Sequence, residues 1–285
     1  MSFVKDLPSE DGKVTLEKFD ENLFNFSNQE NLDIEVKNLC FLDLETTGLN
    51  HDDKIVELAI KFVEINANNG DLIRINDSFE SFNDPGFEMD EKNIAVHGIS
   101  NEMVSGQSID WDRVKNIFDR SDIVIAHNAR FDRSFMDKSF PLSEDKVWAC
   151  SLNDIDWPGL GFNSRSQELL CIWHGFYYES HRAMADVDAL IHLVTHPLYK
   201  DQKPIKQLID SSNLAGYKVI ALNSPFEKKD TLKANSYFWD SLNKYWWKSI
   251  KEVELEDEKS WLENNVYDGD FMGQVEMIMP NDRYK

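Results

Sequence analysis

The sequence is poor in cysteine, in basic residues and in long apolar runs, and each shortage excludes a class of protein. Three cysteines among 285 residues are too few and too scattered for a disulfide framework or a thiolate zinc site, and they favour a reducing, cytoplasmic setting. Thirty basic residues against 52 acidic ones give a net charge of −22, which excludes nonspecific coating of duplex DNA. No apolar stretch approaches the roughly 18 residues that cross a bilayer, and the N-terminus lacks the basic and apolar regions of a secretory signal. We therefore expect a cytoplasmic protein with no membrane partner.

The chain nevertheless contains enough apolar residues to fold, and its charge divides it into segments. Apolar residues make up 41%, which supports a buried core. Residues 1–36 carry a net charge of −6, residues 37–196 carry −14 and residues 197–285 carry −2. We predict an N-terminal extension (1–36), a main domain (37–196), a linker (197–216) and a small aromatic-rich α+β module (217–285).

The hydrophobic pattern of residues 37–196 predicts a mixed α/β sheet covered by helices. Strands are predicted at 39–45, 55–65, 72–82, 122–126 and 146–150. Helices are predicted as short pieces over 90–104, at 110–119, from Asn128 onward, at 166–174 and at 183–194, with a loop at 157–166. In the tail we predict strands at 217–223, 236–240 and 244–250, and helices at 226–234 and 256–267. Three consecutive strands followed by helices alternating with strands are typical of a mixed sheet.

Two carboxylates lie in the first predicted strand. Asp43 and Glu45 are two residues apart, so both side chains leave the same face of the strand. Their neighbours Phe41, Leu42 and Leu44 are apolar. Burying two carboxylates side by side is costly, and a divalent cation that prefers oxygen ligands would remove that cost. The alternative is an edge strand with a solvated acidic face.

Two further segments carry acidic residues close to predicted helix starts. In the HNARFD segment, Asn128 would begin a helix directly after a strand, so Asp132 would lie near the carboxyl end of that strand. In the HRAMAD segment, His181 and Asp186 converge only if His181 precedes the helix. Taken alone, an acidic residue in a first helical turn such as Asp132 is more often a partner of the helix dipole than a metal ligand. Four other histidines are predicted to be structural or solvent-exposed: His127, His174, His192 and His196.

The three segments occur in a fixed order, and together they resemble the signature of a nuclease family. FLDLETTGL at 41–49, HNARFD at 127–132 and HRAMAD at 181–186 resemble the motifs of the DEDDh 3′–5′ exonucleases. This family includes the proofreading subunits of bacterial replicative polymerases and exonuclease X-like enzymes. AVHGIS at 95–100 resembles a further family element. The resemblance covers residues 37–196 and implies a ribonuclease H-like fold with five signature residues: Asp43, Glu45, Asp132, His181 and Asp186.

The resemblance also implies phosphodiester hydrolysis assisted by two metal ions. Asp43, Glu45 and Asp186 would bind two Mg²⁺ or Mn²⁺ ions, and Asp132 would hold the second ion directly or through water. One ion would activate water and the other would stabilise the leaving oxygen. His181 would accept the proton of the attacking water, a role that suits an imidazole. The side chains expected to bind the 3′-terminal nucleotide are Thr46, Thr47, His97, Asn128 and Phe131.

The activity implied is release of nucleoside monophosphates from the 3′ end of single-stranded DNA. DNA is favoured over RNA because the tail resembles, more loosely, a small accessory module of some nucleic-acid enzymes. An exoribonuclease or oligoribonuclease of the same family, and a non-catalytic nucleic-acid-binding subunit, stay open as alternatives. A polymerase or a repair protein is the class of protein partner that the resemblance suggests. Six aromatic residues between 237 and 247 lie among the lysines at 233, 244, 248 and 251, and they would either stack on a single strand or fill the core of a small sheet.

Overall fold

The computed structural model describes residues 9–10, 12–27, 34–50, 52–200 and 202–285. These residues fall into two units, Met1–Ser212 with Tyr284–Lys285, and Asn213–Arg283. Three parts of the predicted N-terminal extension, at 1–8, 11 and 28–33, lie outside the described residues. Over the described ranges, none of the helices has the length and apolar character needed to cross a membrane.

The first unit contains nine strands and seven α-helices among its described residues. In chain order they are β1 (Ser9–Glu10), β2 (Lys13–Val14), β3 (Glu17–Lys18), β4 (Val36–Thr46), β5 (Ile55–Asn66), β6 (Leu72–Phe82), α1 (Glu91–His97), α2 (Asn101–Val104), α3 (Trp111–Arg120), β7 (Ile123–Ala126), α4 (Ala129–Ser139), β8 (Val147–Cys150), α5 (Gln167–Trp173), β9 (Phe176–Tyr177), α6 (Ala183–Val194) and α7 (Pro204–Ser212). The strands and helices predicted for residues 39–194 all occur, with shifts of a few residues at their ends.

A five-stranded mixed sheet, in the order β6-β5-β4-β7-β8, forms the centre of this unit. The long strands β4, β5 and β6 are antiparallel, and β7 and β8 run parallel to β4. Alternate residues of β4 enter two different cores, because successive side chains leave opposite faces of a strand. Leu39 and Phe41 pack with residues of α5, α6 and α7, whereas Leu42 packs with residues of α3 and α4. The predicted mixed α/β sheet flanked by helices is confirmed.

The described part of the predicted extension is not a free arm. Residues 12–27, which we call the N-terminal strap, include β3, and β3 pairs in parallel with β9. Phe24 of the strap is 7% exposed and belongs to the core beneath α6. Lys61 of β5 forms ion pairs with Glu21 of the strap, at 2.9 Å, and with Asp188 of α6, at 2.5 Å. The strap is therefore packed against the sheet and helix α6.

The linker predicted at 197–216 is wrong over most of its length. Helix α7 occupies its centre, and Ile205, Leu208 and Ile209 are buried in the same core as α6. The three residues occupy positions i, i+3 and i+4, which lie on a single face of a helix. The first unit consequently extends to Ser212 rather than ending at His196.

The second unit is a four-stranded antiparallel sheet with helices, in agreement with the predicted small α+β module. Its elements are β10 (Gly216–Ala221), α8 (Lys229–Ala234), β11 (Phe238–Asp240), β12 (Tyr245–Lys251), α9 (Leu255–Leu262) and β13 (Gln274–Ile278). The sheet order is β11-β12-β10-β13. We did not predict β13, which pairs with β10; the strand is short and lacks a buried alternating face of its own.

The aromatic residues of the second unit divide between its core and its surface. Tyr237 is 3% exposed and Trp246 packs on the same core, with Val219 and Leu232. Phe238, by contrast, is 62% exposed. The core interpretation therefore holds for Tyr237 and Trp246, whereas stacking of the exposed Phe238 on a single strand stays a prediction.

Candidate active site

The site begins at the carboxyl end of β4. Asp43 lies opposite Ala59 and Glu45 lies opposite Glu57 in the ladder with β5, and the register shifts directly after Glu45. Both carboxylates are half-buried on one face of the strand. Because β4 is the central strand of the sheet, the alternative of a solvated edge strand is wrong.

Helix α6 brings a third carboxylate to this strand end. Asp186 lies in the first turn of α6, and one oxygen from each of Asp43, Glu45 and Asp186 lies within 4.8 Å of the others. His181 precedes the helix, as its spacing from Asp186 requires. Its backbone N–H donates to Oδ2 of Asp186 at 2.9 Å, and its φ of 65° is left-handed. The side chain of His181 is exposed.

The three carboxylates repel one another and are poorly hydrated. Burial is the main cause that raises the pKa of Asp43 well above its usual range, and the charges of Asp132, Asp186 and Glu45 add to it. Burial, followed by the charges of Asp186 and Glu57, raises the pKa of Glu45 to about 8. The pKa of Asp186 is also raised, mainly by burial. A divalent cation would offset this repulsion, and a set of carboxylate oxygens suits a hard cation such as Mg²⁺ or Mn²⁺.

Asp132 lies beside the three carboxylates without joining their group. It occupies the first turn of α4 and is 3% exposed. Burial raises its pKa to about 7, although hydrogen bonds from its own N–H and that of Leu44 act in the opposite direction. Its charge acts on Asp43. The structure thus assembles all four predicted acidic residues in one region, with Asp132 more distant than the others.

Two neighbours that we did not predict hold Asp186 in place. The hydroxyl group of Tyr178 donates to Oδ1 of Asp186 at 2.7 Å. The amide nitrogen of Gln167 donates to the Asp186 carbonyl at 2.9 Å and to the Tyr178 oxygen at 3.0 Å. Both residues lie outside the recognisable segments, so no sequence signal marked them.

A fifth carboxylate near the site, that of Glu57, has a different partner. Glu57 is fully buried, and the guanidinium of Arg182 donates to its Oε1 at 2.8 Å. This residue was also absent from the prediction. Its position within the apolar strand β5 could have marked it, because a buried carboxylate requires a partner.

The two threonines at the end of β4, Thr46 in the strand and Thr47 directly after it, form hydrogen bonds within the loop that follows. The Thr46 hydroxyl donates to the Gly48 carbonyl at 2.7 Å, and the Thr47 hydroxyl donates to Oδ1 of Asp53 at 2.9 Å. The Asn93 side chain, from α1, donates to the Thr47 carbonyl. These contacts define the shape of the loop beside the carboxylates.

The other three predicted substrate-binding residues differ in their surroundings. His97 is 4% exposed and its Nδ1 accepts from the Ile99 N–H at 3.0 Å, while its Nε2 has no hydrogen-bond partner among the described residues. Burial lowers the pKa of His97. Asn128 precedes α4 as predicted, but its exposed side chain does not cap the helix. Phe131 is half-buried, with its ring centroid 5.0 Å from that of Phe135.

The remaining described histidines are structural, as predicted. His174, His192 and His196 lie together, and the His192 and His196 ring centroids are 4.9 Å apart. Burial lowers the pKa of His174 and His192 to about 4 and that of His196 to about 2. His127 contacts the Ser151 hydroxyl at 2.8 Å. None of them joins the carboxylate group.

Comparison with known proteins supports this description of the first unit. Residues 40–155 match the RNase_T family model, whose description is exonuclease. The PolC-type DNA polymerase III of Listeria monocytogenes is 29% identical over 199 residues, which cover 67% of this chain and 13% of that protein. The corresponding polymerase of Halalkalibacterium halodurans is 33% identical over 162 residues, which cover 53% of this chain and 11% of that protein. The chain therefore spans a small part of the length of these relatives.

A solved structure extends the comparison to the fold. The zinc-bound form of the E. coli ExoI–ssDNA complex gives a TM-score of 0.52 at 15% identity, covering 76% of this chain and 63% of that chain. At this identity the likeness concerns the fold alone, and it agrees with the ribonuclease H-like architecture. Together with the family match, these findings confirm the predicted resemblance to the DEDDh exonucleases.

Proposed function

We propose that this exonuclease-like chain is a metal-dependent 3′–5′ exonuclease that releases nucleoside monophosphates from single-stranded ends, with DNA preferred. The observation that carries the proposal is the meeting of three carboxylates from two distant segments. Asp43 and Glu45 come from β4 and Asp186 from α6, yet one oxygen of each lies within 4.8 Å of the others. An arrangement that raises the pKa values of its own members is costly for the fold, and a function that needs bound cations accounts for it.

Two divalent cations would be held by Asp43, Glu45 and Asp186, and Asp132 would contribute to the second. Bound in this way, such ions lower the pKa of water and stabilise charge on the phosphate and the leaving oxygen. The buried surroundings of Asp43 and Asp132 strengthen the electrostatic interaction with a cation, because the local dielectric is low. The chain therefore contributes a preorganised group of oxygen ligands.

His181 would accept the proton of the attacking water, and the remaining residues would position the strand end. His181 lies directly before α6 and its backbone N–H donates to Asp186, so its exposed imidazole would act on a water molecule held at the carboxylates. The Nε2 of His97, which lacks a partner among the described residues, would donate to the terminal nucleotide. The exposed amide of Asn128 and the ring of Phe131, both at the start of α4, would also contact the nucleotide.

The preference for DNA and the expected partners come from the relatives rather than from a contact in this chain. The PolC-type relatives are DNA polymerases by name, which favours DNA over RNA and a polymerase or repair protein as a partner. The net charge of −22 disfavours tight binding of duplex DNA and suits a short single strand held through cations. The three cysteines are free and buried, which supports work in the reducing cytoplasm.

The test is digestion of a 5′-labelled single-stranded oligonucleotide with Mg²⁺, with Mn²⁺ or with chelator. Matched RNA and duplex DNA run in parallel, and a 3′-labelled strand reports the first product. We expect a ladder shortened from the 3′ end, release of the label as a mononucleotide, and no digestion with chelator. The Asp186→Asn variant should be inactive. The Glu80→Gln variant should stay active, because Glu80 is a carboxylate of β6 that is not among the proposed metal ligands.

The outcome also separates the alternatives. Faster digestion of RNA than of DNA would identify an exoribonuclease. Binding of strands without digestion under any metal condition would identify the non-catalytic alternative and would refute the proposal. Digestion that persists in Asp186→Asn would show that the site lies elsewhere.

A further inference from the structure

The carboxylate of Glu57 makes an unusually complete set of contacts for a residue inside a sheet. Glu57 is fully buried on β5, directly opposite Glu45. The Arg182 guanidinium donates to it through Nη2 at 2.8 Å and through Nε at 3.2 Å, and the Ala183 N–H donates at 2.9 Å. A buried carboxylate without such donors would be strongly destabilising. These donors keep Glu57 engaged with Arg182 and the helix backbone, and it is not a member of the carboxylate group at the strand end.

The residues that Glu57 contacts are those that connect His181 to helix α6. Arg182 is the N-cap residue of α6, and Ala183 is its first residue. Immediately before them, His181 has a φ of 65°. Residues other than glycine rarely adopt this backbone conformation, and surrounding contacts are needed to hold them in it.

Asp186 holds the peptide groups that directly precede Ala183. Its Oδ2 accepts from the His181 N–H at 2.9 Å and from the Arg182 N–H at 3.3 Å. Two carboxylates therefore hold consecutive peptide groups: Asp186 from the helix itself, and Glu57 from the sheet. Glu57 thereby joins the segment 181–183, which we call the His181 loop, to β5, the strand next to the one that carries Asp43 and Glu45.

We infer that Glu57 and Arg182 are positioning residues that hold the His181 loop at a fixed place relative to the carboxylates of β4. The inference rests on the proposed function. Arg182 suits this role because its planar guanidinium binds a carboxylate through two nitrogens, which restricts orientation as well as distance. The guanidinium also lies over the Phe82 ring, 5.6 Å from its centroid, so it is held from two directions.

The structure provides a matched control for this pair. Glu80 of β6 approaches the same guanidinium, but at 4.0 Å and with 42% of its side chain exposed. It shares the charge and the partner of Glu57 and lacks its short hydrogen bonds. Neutralising Glu80 should therefore leave the loop in place.

The principal variant is Arg182→Lys, which keeps the positive charge and removes the planar fork. With single-stranded oligonucleotide at saturating Mg²⁺, we expect kcat to fall by about 10- to 100-fold, because small displacements of a catalytic group have large effects on rate. KM, the Mg²⁺ concentration for half-maximal digestion and the melting temperature should stay close to those of the wild type. Glu57→Gln should lose kcat in the same direction, and Glu80→Gln should retain it.

The decisive measurement repeats Arg182→Lys in the His181→Ala background under single-turnover conditions. If Arg182 acts through His181, the second substitution should not lower the residual rate further. A further loss of the same size in that background, or a wild-type kcat in Arg182→Lys alone, would overturn the inference. If Arg182→Lys lowers the melting temperature substantially, Glu57→Asp, which keeps the charge and withdraws the carboxylate, provides the same comparison.

Failure of this inference can be separated from failure of the proposed function. Wild-type protein that digests the oligonucleotide, with Arg182→Lys equally active, overturns the inference alone. Wild-type protein that digests no oligonucleotide under any metal condition overturns both.

Discussion

The hydroxyl group of Tyr178 donates a hydrogen bond of 2.7 Å to Oδ1 of Asp186, and this contact orients a proposed metal ligand from outside the metal site. Groups of this kind raise metal affinity by fixing the geometry of the ligand they touch. We expect Tyr178→Phe to raise the Mg²⁺ concentration for half-maximal digestion about 10-fold. The measurement is a Mg²⁺ titration of digestion rate. Tyr177→Phe is the control, because this neighbour is 43% exposed, and an equal shift in both variants would contradict the assignment.

The carboxylate group predicts how stability depends on pH without metal. The raised pKa values of Glu45, to about 8, and Asp132, to about 7, mean that the folded chain keeps protons that the unfolded chain releases. The resulting stability is complete below about pH 4 and is lost as the pH rises through 8. Mg²⁺ should restore it at high pH. The measurement is urea unfolding in chelator and in Mg²⁺ at several pH values between 5 and 8.

Comparison with Asp43→Asn isolates this effect from other titrating groups. The buried histidines act in the opposite direction, because His174 and His192, with pKa values lowered to about 4, stabilise the fold above their unfolded pKa and lose that contribution as the pH falls. Asp43→Asn should leave the histidine effect unchanged and should be more stable than the wild type at pH 8 in chelator, by about 1–3 kcal/mol. A wild type that is equally stable, or more stable, at pH 8 would refute the charge argument.

The packing of the N-terminal strap predicts that loss of one of its buried rings destabilises the fold. Phe24 is buried, its ring centroid lies 5.4 Å from that of Phe19, and it belongs to the core beneath α6. Phe24→Ala should lower the free energy of unfolding by about 3 kcal/mol. Phe26→Ala should cost much less, because Phe26 is 47% exposed. Denaturant unfolding of both variants is the measurement, and a neutral Phe24→Ala would show that the strap does not contribute to stability.

The exposed aromatic residues of the second unit lead us to predict that this unit contributes to binding of single-stranded nucleic acid. Lys218 lies over the rings of Tyr245 and Trp247, at 5.1 and 5.2 Å from their centroids, and the Phe238 centroid lies 5.8 Å from that of Trp247. If a base stacks on the exposed Phe238 ring, Phe238→Ala should weaken binding of a long single strand by about 1–3 kcal/mol. Binding of a trinucleotide should change little.

The control for this prediction is Leu242→Ala, which removes an exposed apolar side chain from the same hairpin. Removing the tail after residue 196 would be a less specific test, because it would also remove α7, which belongs to the core of the first unit. Equal affinities of Phe238→Ala and the wild type for the long strand would assign the aromatic residues to the small core or to a protein partner.

Local sequence determined most of the helices and strands of this protein, because the formation of each depends on the pattern of neighbouring residues. The apolar runs at 55–65 and 122–126 form strands as predicted, and the two-residue spacing of Asp43 and Glu45 places both on one face. The ordered segments around Asp132 and His181 were sufficient to indicate a nuclease. The same reasoning failed at α7, where helical spacing was overlooked among polar residues, and at β13, a short strand whose signal comes only from pairing with β10.

Tertiary structure alone decided which of these residues meet. Asp186 joins Asp43 because α6 packs across the sheet, and the position of Glu57 opposite Glu45 follows from the register between β4 and β5. Neither Tyr178 nor Gln167 carries a local signal, since each acts through a contact with Asp186 after the chain has folded. The physical reason is that spacing specifies the face of a strand or helix, whereas sheet order, register and helix packing specify which faces come together.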